Sequence, residues 1–135
     1  MQASSSVITL LNLVRPDPLQ DAVCKEFPRS GWSHNNTAWL AVRCKRDLDA
    51  ALEHARKGVE YEPENAGHLD TLAEVYFQRG DKDKAVELMK KCLEMQPKYD
   101  YFRKQLKRMQ AGDRDADVPP EATTGSAMRA LRALP

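Results

Sequence analysis

No stretch of this chain approaches the roughly 20 apolar residues a membrane span needs. Its longest apolar run, Val7–Val14, is broken by Thr9 and Asn12, and no Lys or Arg precedes it in Met1–Ser6 as a secretory signal would require. Cysteine is scarce: Cys24, Cys44 and Cys92 are an odd number at long spacings with no CxxC pair, which argues against a zinc knuckle or a redox dithiol. Free thiols suit a reducing compartment, so a soluble, cytoplasmic protein is expected. A Gly-rich phosphate loop, a nucleophile elbow and an HExxH motif are all missing, so neither an enzyme nor a cofactor is expected. The formal net charge of +1 supplies no overall drive toward nucleic acid or an anionic membrane.

What the sequence does contain is a repeat. Asp49-Ala50-Ala51-Leu52-Glu53 aligns with Asp83-Lys84-Ala85-Val86-Glu87 at a shift of 34 residues. The same shift carries Val59 onto Leu93, Glu60 onto Glu94 and Pro63 onto Pro97. A period of about 34 residues marks pairs of antiparallel helices closed by a proline turn. A chain of 135 residues holds one small domain, and 30% charged residues suit a thin helical array better than a sphere.

Helix starts and stops follow from local chemistry. Asn65 caps a helix over about 66–79 whose inward face carries Leu69, Leu72, Ala73 and Tyr76. Gly80 ends it and Asp81 caps the next, about 82–95, which turns Ala85, Val86, Met89, Cys92 and Leu93 inward before Pro97 stops it. The earlier unit has helices near 34–45 and 48–61. Asp47 caps the second of these, and its buried face is Leu48, Ala51, Leu52, Ala55 and Val59. Thr37-Ala38 matches Leu72-Ala73 at a shift of 35, so one extra residue is expected in the turn around Cys44–Arg46. Residues 99–109 form an end helix with Tyr99, Phe102, Leu106 and Met109 on one side and Arg103, Lys104, Lys107 and Arg108 on the other. Leu19–Phe27 reads as the second helix of a degraded earlier unit, and residues 111–135 as a disordered tail.

Residues 34–109 resemble the tetratricopeptide repeat (TPR) family. The resemblance is carried by Leu72-Ala73, Tyr76, Gly80-Asp81, Ala85 and Pro97, with echoes at Thr37-Ala38, Ala51 and Pro63. The stretch His34–Ala41 looks like a variant common in bacterial members. Two departures stand out: the bulky aromatic early in the first helix is His34 or Leu69, and the usual glycine is alanine. The resemblance implies an all-α stack of helix hairpins, a right-handed solenoid fragment with a C-terminal capping helix. The implied domains are an N-terminal segment 1–33, a repeat domain 34–110 and the tail. It further implies a concave groove, lined by the first helix of each unit, that receives a peptide or protein. Groove positions would be Asn35, Trp39, Val42 and Arg43, then Asp70, Glu74, Phe77 and Gln78, then Tyr101, Lys104 and Arg108. Asp70 and Glu74 in mid-groove would repel a ligand's C-terminal carboxylate.

Each of these residues also has a plainer role. Asn35-Asn36 either contact a bound peptide or cap a helix. Trp39 either anchors a partner or covers a neighbouring helix. His34, His54 and His68 lie in different helices with no Cys or carboxylate at ligand spacing, so no metal is expected. Cys92 reads as inert packing. Charge is segregated: residues 47–74 carry eight acidic against two basic side chains, and residues 84–108 carry eight basic against three acidic. That pattern orients a partner or aligns copies of the chain. The function expected is therefore a protein-interaction module without nucleic acid, membrane or metal, and the alternative is structural self-assembly into a homo-oligomer.

Overall fold

A computed structural model describes residues 17–114. These form six helices: α1 (Asp17–Glu26), α2 (Gly31–Arg43), α3 (Leu48–Tyr61), α4 (Ala66–Gln78), α5 (Lys82–Met95) and α6 (Asp100–Ala111). The apolar run Val7–Val14 and the tail from residue 115 on lie outside the described residues. No strand occurs among the described residues, so the all-α architecture stands. Residue 111, placed in the tail by sequence, is the last residue of α6.

The caps of the second hairpin act as their residue types dictate. Asn65 accepts from the amides of Gly67 and His68, and Asp81 accepts from that of Lys84, satisfying donors that a helix start leaves open. Gly80 takes φ +96°, with hydrogen bonds from its amide to the Phe77 carbonyl and from the Asp81 amide to the Tyr76 carbonyl.

The first hairpin repeats those bonds 35 residues earlier: Lys45 to Val42 and Arg46 to Ala41. Lys45 therefore holds the place of Gly80, at φ +50°, and the extra residue falls just after it. Asp47 occupies the cap of α3 but is itself left-handed, at φ +46°, and makes no side-chain capping bond. That corrects the expected role of Asp47: the insertion turns its backbone out of the extended conformation from which a cap side chain reaches forward. The start of α2 also differs. Ser30, not Asn35, caps the helix, accepting from the Ser33 amide, because the turn after Pro28 lets the helix begin at Gly31. Asn35 and Asn36 consequently lie inside α2.

Hairpins α2–α3 and α4–α5 pack in sequence, and α6 closes against α5. Fully buried alanines at Ala38, Ala51, Ala73 and Ala85 keep the helices of each hairpin close. Gly58 serves the same end: a Cβ there would sit 3.3 Å from the Gly31 carbonyl. The core has two clusters, one of Ala38, Val42, Leu52, Leu72 and Val75 and their neighbours, the other built on Leu69, Phe77, Met89, Phe102 and Met109. Val59, Tyr76 and Leu88 pack against both. Tyr99 departs from the expected inward face: it precedes α6 at the cap position and is exposed, edge-on to Phe102.

Candidate functional site

The first helices of successive units, α2, α4 and α6, place equivalent residues in rows. Shifts of 35 and then 34 residues relate Trp39 to Glu74 and Arg108, and Asn35 to Asp70 and Lys104. Across α4 and α6 the rows are joined. Glu74 forms an ion pair with Arg108, with side chains only 13% and 8% exposed. The Arg108 guanidinium lies 5.1 Å from the centre of the Phe77 ring and donates through Nε to Gln105 Oε1 at 2.9 Å. Gln78 Nε2 donates to the other Glu74 oxygen at 2.9 Å. Arg108 thus balances the acid that the sequence placed, unopposed, in mid-groove.

Among the described residues no ion pair is formed by Asp70. Burial above all, and then the Glu74 carboxylate, push its carboxyl up to about 7; a hydrogen bond from Tyr101 and the charge of Arg108 offset this only in part. The Tyr101 hydroxyl is raised in turn, by burial first and then by the two carboxylates. Cys92 is buried, donates to the Ala66 carbonyl, and burial pushes its thiol up to about 12, as suits packing and not reactivity.

Asp70 imposes a pH dependence whose sign follows directly. Below about pH 4 the carboxyl is protonated in both folded and unfolded chains, so nothing is lost. As pH rises toward about 7, the unfolded chain ionises freely while the folded one resists, so stability falls. Asp70→Asn keeps an acceptor for Tyr101 and removes the penalty. It is expected to flatten the decline between pH 4 and 7 and to gain on the order of 2–4 kcal/mol at pH 8. Urea melts of both proteins across that range check this; parallel curves would refute it.

On α2, Trp39 is half-buried with the Arg43 guanidinium 5.5 Å from its ring centre, and Arg43 is exposed. Asn35 Oδ1 is buried without a hydrogen-bond partner. On α6, Lys104 is exposed and Tyr101 half-buried. Two expected groove residues do not line a groove. Val42 is 3% exposed and Phe77 1%, both in the core. They are repeat equivalents, 35 residues apart, and each is covered by the following unit: Val42 packs with Leu72 and Val75 of α4, Phe77 with Phe102 and Met109 of α6. The remaining residues, Asn35, Trp39, Arg43, Asp70, Glu74, Gln78, Tyr101, Lys104 and Arg108, lie on the three first helices.

Residues 69–99, which cover most of α4, all of α5 and the Pro97 turn, match the family model described as tetratricopeptide repeat. Over that stretch the chain carries a tetratricopeptide repeat. The TPR is a protein-interaction element and is typically non-catalytic. No helix among the described residues is long and apolar enough to cross a membrane.

One constellation outside that repeat escapes sequence spacing altogether. Cys24 of α1, His34 of α2 and His54 of α3 bring one ligand atom each within 4.8 Å of one another. His34 and His54 face each other with Nδ1 atoms 2.8 Å apart. His68 lies apart from them, with Nδ1 3.1 Å from the Gly58 carbonyl. Three helices supply the trio, so no local motif betrays it; only the docking of α1 on α2 brings Cys24 in.

Proposed function

We propose that this chain holds a peptide or protein segment along the inner faces of α2, α4 and α6, with its strongest contact at Trp39 and Arg43. The observation that carries this is the contrast within one row of repeat equivalents. Glu74 and Arg108 satisfy each other, whereas Trp39 keeps part of its ring accessible beneath the exposed Arg43. An aromatic ring with a guanidinium over it offers apolar area, a cation and hydrogen-bond donors together, the chemistry enriched in binding hot spots. The buried, unpartnered Asn35 Oδ1 lies one helical turn away, and exposed Lys104 extends the surface onto α6. The ligand is a protein and not a nucleic acid, since the basic Arg108 is neutralised by Glu74 and the acidic Asp70 lies beside it. Free thiols at Cys24, Cys44 and Cys92 support a cytoplasmic setting.

The test compares partners retained from a lysate of the source cells by the wild-type chain, by Trp39→Ala/Arg43→Glu, and by Lys91→Glu on the opposite helix α5. A partner kept by the first and third and lost by the second is the expected result. Identical retention by all three would end this reading. A second reading, self-assembly, is favoured by the exposure of Phe27 (54%) and Trp32 (63%) at the α1–α2 end. Light scattering on the wild type, Trp39→Ala/Arg43→Glu and Trp32→Ser separates the two, because a dimer kept in the double variant but lost in Trp32→Ser places the interface at that end.

A further inference from the structure

We propose that Cys24, His34 and His54 form a binding site for a zinc-class divalent ion. The case begins with the tautomer of His34. Its Nε2 lies 2.9 Å from the Pro28 carbonyl, and a carbonyl only accepts, so Nε2 carries the proton. Nδ1 is then a lone pair, aimed at His54. A ring N–H held by a backbone carbonyl while the other nitrogen faces a shared centre is how metal-binding histidines are oriented. His34 is buried and its ring is further fixed by Tyr61, 5.8 Å away centre to centre.

The other two donors complete the set. Thr37 Oγ1 already donates to the Ser33 carbonyl, so the buried Cys24 thiol donates to that hydroxyl at 3.3 Å. Two imidazole nitrogens and a sulfur are borderline-to-soft donors, suited to zinc and unsuited to magnesium or calcium. Tetrahedral zinc with bonds of about 2.0–2.1 Å holds its nitrogens roughly 3.3 Å apart, so the 2.8 Å pair opens by about half an ångström. On binding, the Cys24 S–H bond breaks, sulfur keeps the electron pair as thiolate, and one proton leaves to solvent. The proton that His54 Nδ1 shares with His34 moves to His54 Nε2, freeing the second lone pair. His54 is half-buried, so the trio is not sealed from solvent, and a tetrahedral ion held by three side chains would take water as its fourth ligand. Because α1, α2 and α3 each contribute one donor, the ion would pin α1 onto the first repeat.

The full chain, freed of metal by chelation, is titrated with zinc alone by calorimetry and with cobalt(II) alone by absorption. One ion per chain is expected, with tetrahedral d–d bands and a near-ultraviolet thiolate-to-cobalt band. His54→Asn should weaken zinc binding by roughly tenfold or more. Cys24→Ser should remove the thiolate band, while Cys44→Ser, at an exposed thiol, leaves both readouts unchanged. Circular dichroism confirms that each variant keeps its helices. Absence of zinc binding by the wild type overturns the proposal, as does a thiolate band that survives Cys24→Ser or an affinity indifferent to His54→Asn.

Discussion

Phe77→Ala is expected to destabilise the chain by about 3–5 kcal/mol, the range for truncating a fully buried aromatic. The ring is 1% exposed, belongs to the cluster with Met89, Phe102 and Met109, and carries the Arg108 guanidinium on its face. Its loss removes the floor on which α6 rests. Against a typical total of about 5–15 kcal/mol, that is a large share of the stability. The urea midpoint should fall accordingly, and proteolysis should reach α6 before the α2–α3 hairpin. A loss under about 1 kcal/mol would mean that the ring lines an open groove after all, the position its sequence resemblance assigned to it.

Arg108→Met is expected to cost a similar amount, about 3–5 kcal/mol, for a different reason. Methionine fills much of the volume, so cavity formation is minor. What remains is the Glu74 carboxylate, 13% exposed, beside Asp70 with no cation between them. Gln105 also loses the donor to its Oε1, having no partner for Nε2 already. The double variant Glu74→Gln/Arg108→Met removes the stranded charge and should recover most of the loss, though not the part owed to Gln105. Denaturation of the two singles and the double forms a cycle. A double variant no more stable than Arg108→Met would show that charge burial is not the cause.

The parts of the fold legible in the sequence are those decided within a few residues. Asn65, Gly80, Asp81 and Pro97 bound their helices as expected because capping and helix termination are local chemistry. Ser30 was harder to recognise, since Asn35-Asn36 downstream offers the same side-chain chemistry without the turn that precedes a true start. Val42 and Phe77 misled for a longer-range reason: the face of a repeat helix that looks open within one unit is shut by the next. The pairing of Glu74 with Arg108 was in reach, because the repeat period sets them in the same row. Cys24, His34 and His54 were not, as their spacings of 10 and 20 residues match no helical or turn period.

Tyr76, Val59 and Leu88 touch both core clusters, and α4 contributes to each. A stack of repeats ordinarily unzips from its ends, unit by unit, because each unit has its own interface energy. Here the boundary between units runs through side chains that neither unit owns. Fraying of one hairpin strips contacts from the other at once, so α2 to α5 are expected to open together, whereas α6 packs on one cluster alone and can leave first. The amides of α4, anchored from both sides, are the last to meet solvent.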